Sequence, residues 1–241
     1  MFSCKGLYIM KIDQKQFTCS NGLTLPYIDM MPEKVLEPVP MLIFLHGVGE
    51  RGTDNSSQLR NGHEFLTTAV TEYKVRVIAP QCPPDDYWVL AKWDDINIRF
   101  AQRPSRPMEA LIELLNKKLI SFTVDLEKIY CMGLSMGGFG TWDILMRCPQ
   151  IFAAGVPICG GGDDSLAHTI SRIPIWAFHG AIDNVVPVEL SRKMITALKK
   201  AGARPRYTEY PDVAHDSWTN AFNDPALLDW ILSQRKRDAH L

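Results

Sequence analysis

Residues 129–142 limit what this chain can fold into more than any other stretch. An apolar run leads into Gly133-Leu134-Ser135-Met136-Gly137-Gly138, and residues 136–148 can continue as a helix. This reads as strand, sharp turn, helix. A serine between Gly133 and Gly137 can occupy a turn too tight for side chains on its neighbours, because glycine tolerates a backbone approach that a β-carbon blocks. Its hydroxyl then stands clear of the sheet. The following helix points its N-terminal amides and positive dipole end at the same place, which suits a nucleophile that makes an oxyanion. The alternative is an ordinary strand-to-helix turn with Ser135 as helix N-cap. A nucleophile requires an acid and then a histidine further along the chain.

Other apolar runs of strand length cover residues 41–45, 75–79, 153–159 and 175–179, and residues 206–210 read as a last strand. Between them, residues 65–73, 108–119, 188–201 and 225–235 carry helical patterns. Strands alternating with helices predict an α/β fold, a parallel sheet covered on both faces. Residues 17–19 and 23–30, joined at Asn21-Gly22, predict an edge hairpin with a type I′ turn. Residues 80–107 form a long irregular segment in which Pro83, Pro84, Pro104 and Pro107 oppose regular structure and Tyr87, Trp88, Trp93 and Phe100 supply aromatic surface. In such sheets ligands bind beyond the carboxyl ends of the strands. Val48, Ser135, Asp183 and His215 all follow strand ends, so one rim is expected to hold them.

The length, 241 residues, fits a single domain spanning 1–241, with no linker-like stretch to divide it. A net charge of −1 from interspersed acids and bases offers no basic face for nucleic acid, so small partners are expected. The apolar runs fall far short of the roughly 20 residues that span a bilayer, so no membrane anchor is expected. Lys5, Lys11, Asp13 and Lys15 break up any signal-peptide core, and a cytoplasmic location is expected. Cys4, Cys19, Cys82, Cys131, Cys148 and Cys159 lack CxxC spacing and read as buried thiols.

A neutral serine needs a general base, and the base needs a carboxylate to orient it. His215 suits best, in the loop between the last strand and the last helix. His46 and His179 each precede a glycine at a strand end and read as structural. His63 and His168 have no chemical context, and His240 is near the terminus. Asp183, just after a strand, is the expected acid. Asp212 shares a short loop with His215 and would reach its Nδ1 awkwardly. Oxyanion amides are expected from Met136 and Val48, with Gly49 as the fallback for the latter. Glu50, Arg51 and Asp54 read as an ion-pair network bracing the Val48 loop. Trp88, Trp93 and Trp218 are expected at the substrate pocket, the alternative for the rings of the 80–107 segment being that they cover the sheet edge as satellite core.

The chain resembles the α/β-hydrolase superfamily, and within it the cap-free esterases of the phospholipase/carboxylesterase and "predicted peptidase" type. The resemblance is carried by residues 22–27, the segment Leu45-His46-Gly47-Val48-Gly49-Glu50-Arg51-Gly52, residues 133–142, His179-Gly180-x-x-Asp183 and His215-Asp216-x-Trp218. It implies an α/β-hydrolase fold, a mostly parallel sheet of about eight strands with helices on both faces and no large cap domain. Only residues 160–174 separate the strands where many hydrolases insert a cap. It also implies a serine carboxylesterase acting on small or short-chain acyl esters, with Ser135 attacking, His215 moving the proton and Asp183 holding the imidazole, and no cofactor or metal. Dienelactone hydrolases are similar but have cysteine where this chain has Ser135. The alternatives are an acyl-protein thioesterase or lysophospholipase, a peptidase, or a non-catalytic hydrolase-fold receptor.

Overall fold

The computed structural model describes residues 9–93, 95–120 and 123–236. Cys4 and His240 lie outside them. The strands are β1 (Met10–Thr18), β2 (Thr24–Pro32), β3 (Val39–Leu45), β4 (Arg76–Pro80), β5 (Val124–Leu134), β6 (Ala154–Ile158), β7 (Trp176–Gly180) and β8 (Arg206–Tyr210). The helices are α1 (His63–Tyr73), α2 (Arg106–Leu119), α3 (Met136–Arg147), α4 (Glu189–Lys200), α5 (Trp218–Phe222) and α6 (Leu227–Ser233). The strands form one sheet in the order β1-β2-β4-β3-β5-β6-β7-β8. β2 is antiparallel to both β1 and β4, and every other pairing is parallel.

Strand alternation divides the core in two. In β3, Met41, Ile43 and Leu45 pack with Leu111 and Leu114 of α2, Phe139 and Trp142 of α3, and Leu190 and Met194 of α4. Leu42 and Phe44 point the other way, to Leu66 and Val70 of α1, Ala221 of α5 and Ile231 of α6. Each buried side chain of this kind contributes about 1.5–3 kcal/mol relative to exposure. The parallel register aligns the strand ends: Leu45 lies beside Gly133, Leu134 beside Ile158, Ile158 beside Phe178, and Gly180 beside Tyr210. The turns that follow these residues therefore share one rim.

Three local expectations are corrected. In the hairpin only Gly22 has positive φ, at 82°, so the turn is not type I′. The Gly22 amide donates to Cys19 O, and the Asn21 side chain accepts from the Leu23 amide, leaving a type I turn followed by one left-handed glycine. Of the two hairpin strands only β1 is an edge, and β2 is interior. Pro107, expected to oppose regular structure, sits in the first turn of α2, where its missing N–H costs nothing, behind the Ser105 hydroxyl that accepts from the Met108 amide.

Between Ile158 and Trp176 the chain forms only the short 3-10 helix Asp164–Ile170, and no large cap rises there. Among the described residues no helix is long and apolar enough to cross a membrane.

Candidate active site

Ser135 joins β5 to α3 with φ 52° and ψ −118°, a conformation costing about 1–3 kcal/mol that persists only where its surroundings enforce it. Glycines enforce it here. A β-carbon on Gly137 would sit 1.9 Å from Leu45 O, and one on Gly133 2.3 Å from Gly137 O. The Ser135 amide donates to Ile158 O at 2.9 Å, and its carbonyl accepts from the Gly138 and Phe139 amides. An N-cap serine would have β-region dihedrals and bond its own helix. Ser135 has neither feature: it makes no side-chain capping bond, and its Oγ lies 2.9 Å from His215 Nε2.

His215 comes from the loop after β8. Gly180, at the end of β7, brings it close: a β-carbon there would meet Ala214 O at 2.1 Å, and the Ile182 amide donates to Val213 O. That contact sets the loop carrying Asp183 against the loop carrying His215. Asp183 Oδ2 lies 2.8 Å from His215 Nδ1. A carboxylate only accepts, so Nδ1 carries the proton and Nε2 of the neutral ring faces the serine hydroxyl as acceptor. Burial pushes the Asp183 carboxyl up, but bonds from His179, His215 and the amides of Val186 and Val185 outweigh it and hold the group well below the ordinary carboxylate range. Asp212 is exposed.

Sequence reasoning missed the role of His179. Its Nε2 lies 3.2 Å from Asp183 Oδ2 and 3.0 Å from Val186 O, and its Nδ1 lies 2.7 Å from Ser191 Oγ. The i, i+4 spacing of His179 and Asp183 was the available signal. Cys159 was also missed as a neighbour of this pair: it has φ 39°, and its sulfur, an Asp183 oxygen and a His215 nitrogen lie within 4.8 Å of one another. Burial pushes the Cys159 thiol up, keeping it protonated and a poor metal ligand. The five described cysteines are all buried and unpaired.

Val48 opens a 3-10 turn, Val48–Glu50, directly after β3, and Met136 is the first residue of α3. Among the described residues neither amide donates to another backbone group. The loop lies against the serine: a β-carbon on Gly47 would be 3.6 Å from Ser135 Cβ. His46 anchors it from below. The Cys82 amide donates to its Nε2 at 2.9 Å, so its Nδ1–H donates to Gly47 O at 2.6 Å. Burial lowers the His46 pKa to about 4, so the ring is neutral. Among the described residues Glu50, Arg51 and Asp54 form no ion pair, so the expected network is not found. Glu50 instead accepts from Asn61, Arg51 donates to Val48 O and Asp86 O, and Asp54 binds Ser56 and Ser57. Neutral groups satisfy both Glu50 and Arg51.

The tryptophans separate. Trp88, expected at the pocket, is fully buried, because its Nε1–H donates to His46 O and its ring packs against the position of Gly140. It is core. Trp93 is half-buried, edge-on to Tyr87. Trp218 stands edge-on to the His215 ring with centroids 5.4 Å apart.

The sequence matches the phospholipase/carboxylesterase family over residues 30–226. The chain belongs to that family. A thermostable esterase, solved crystallographically, is 36% identical with a TM-score of 0.82, and the match covers 93% of this chain and 63% of that one. A bifunctional acetylxylan esterase/xylanase of Neocallimastix patriciarum is 26% identical over 155 residues, 64% of this chain and 21% of that protein. This phospholipase/carboxylesterase family chain thus spans less than two thirds of either relative. A putative dienelactone hydrolase from Klebsiella pneumoniae shares the fold at 15% identity and a TM-score of 0.69, covering 93% of this chain and 99% of that one.

Proposed function

We propose that the chain is a serine carboxylesterase that cleaves small or short-chain acyl esters through an acyl-enzyme. The observation that carries this reading is the bonded series Ser135 Oγ, His215 Nε2, His215 Nδ1, Asp183 Oδ2, set on a strained turn beside two unoccupied amides. Ser135 Oγ attacks the ester carbonyl carbon as His215 Nε2 takes its proton. The carbonyl oxygen becomes an oxyanion facing the Val48 and Met136 amides, whose donors are fixed before reaction begins. Collapse expels the alcohol, which leaves with the proton from His215. Water then attacks the acyl carbon as the same nitrogen takes its proton, and collapse breaks the bond to Ser135 Oγ, which leaves with that proton and frees the acid. Asp183 stays ionised throughout, fixing the tautomer and stabilising the imidazolium.

His215 keeps a partly exposed side chain, 19%, so water reaches the acyl-enzyme. Five unpaired thiols support work in a reducing compartment such as the cytoplasm. The test is a panel of p-nitrophenyl esters graded by acyl length. Release of p-nitrophenol that is fastest for the short esters is expected, with an initial burst wherever deacylation is slower than acylation; no release from any of them removes the esterase reading.

A further inference from the structure

A groove of about 510 Å³ is lined by Tyr87, Val89, Leu90, Ala91, Trp93 and Val185. Each wall leads back to a part of the catalytic centre. Val185 is two residues past Asp183 and its amide donates to that carboxylate. The Trp93 ring packs on Phe139, four residues past Ser135 on α3. Tyr87 lies beneath the Arg51 guanidinium, 4.7 Å from the ring centroid, and Arg51 in turn donates to Val48 O on the oxyanion loop.

Tyr87, Leu90 and Val185 of this lining are exposed. Exposed apolar surface gathered at one place marks a binding region rather than packing. The shape of the walls selects among apolar ligands. Tyr87 and Trp93 stand edge-to-face, centroids 5.5 Å apart at 78°, leaving a right-angled corner. A flat ring set in that corner offers its face to one neighbour and its edge to the other, both favoured by the ring quadrupoles. A saturated ring or alkyl chain fills the same space without that gain.

We propose that this groove is an aryl subsite, which seats an aromatic ring carried by the ester substrate. The proposal rests on the esterase reading of Ser135 and adds the chemical class of the substrate. Either half of an ester can carry the ring, so both are tested.

The experiment measures kcat/KM for two matched pairs: methyl phenylacetate against methyl cyclohexylacetate, and benzyl acetate against cyclohexylmethyl acetate. The phenyl member of one pair should be preferred about 3- to 10-fold, and that pair identifies the half of the ester that the groove holds. Trp93→Leu keeps apolar bulk and removes the π face, and should bring the ratio to about one. Tyr87→Leu, at an exposed position, carries the same comparison if Trp93→Leu does not fold. Equal rates within both pairs, or a phenyl preference unchanged in either variant, overturns the subsite. So does a steady rise in kcat/KM with linear acyl length beyond any phenyl ester. If no ester is turned over, the esterase reading fails by itself. Binding of phenylacetate and cyclohexylacetate, followed by ligand-observed NMR, then decides the subsite: stronger binding of phenylacetate that Trp93→Leu abolishes supports it, and equal binding overturns it.

Discussion

Gly137 lies so close to Leu45 that a β-carbon on it would sit 1.9 Å from the Leu45 carbonyl oxygen. Neither partner can yield, since one is the first turn of α3 and the other the end of β3, both in the core of the sheet. Gly137→Ala should therefore destabilise by about 3 kcal/mol or more, as overpacking against backbone does. Gly202→Ala is the control: φ there is 83° with open space around it, and the cost should be only about 1 kcal/mol. Urea midpoints of the two variants check the contrast, and equal losses would show that Gly137 answers to backbone freedom alone.

Strain at Ser135 can be measured in the absence of catalysis. Ser135→Ala and Ser135→Gly both remove the hydroxyl, but only glycine is at ease at φ 52°. The glycine variant should be the more stable by about 1 kcal/mol. An alanine variant as stable as the glycine one would mean that the turn stores no strain.

The acid can be assigned by exchanging its charge for an amide. Asp183→Asn should lower kcat by up to about 10⁴, because an amide donor facing Nδ1 favours the wrong tautomer. Asp212 is exposed, and Asp212→Asn should leave kcat within about twofold. A reversal of the two would reassign the acid.

His46 makes stability depend on pH. Its pKa is about 4 when folded against an ordinary 6.5, so the unfolded chain takes a proton through a range where the folded protein refuses it. Stability from this group is complete above about 6.5 and falls as pH drops toward about 4, a loss of about 2 kcal/mol between pH ~7 and pH ~5. The contribution of Asp183, whose folded pKa is depressed, is lost only below its ordinary 3.8, outside that window. Denaturant titrations at the two pH values should show the fall in the native protein and a much flatter response in His46→Asn.

The parts of this architecture legible in the sequence were those written in local pattern. The continuous apolar run of Met41 through Leu45 specifies a strand buried on both faces, and Gly133 and Gly137 specify a turn that only close backbone contact explains. What stayed hidden depends on distant segments meeting. Trp88 and Trp93 look alike in an irregular, proline-rich stretch, and only the position of His46 O sends one indole inward while the other edges the groove. Glu50 and Arg51 sit side by side like an ion pair, but Asn61 and the Val48 and Asp86 carbonyls reach them first. His179 was legible as a strand-end histidine, while its contact with Asp183 depends on how the chain turns after Gly180. The hairpin turn type was decided by Asn21, whose side chain binds the Leu23 amide and Glu109, the latter on a helix far along the chain.

The central claim is that Ser135 is the nucleophile activated by His215, and covalent trapping tests it most directly. The native protein is treated with a fluorophosphonate, digested, and the adduct located by mass spectrometry. One equivalent is expected on Ser135, formed much more slowly in Asp183→Asn and absent in Ser135→Ala, whose ester turnover should fall by about 10³ to 10⁶. An adduct on any other residue, or ester turnover undiminished in Ser135→Ala, would contradict the account.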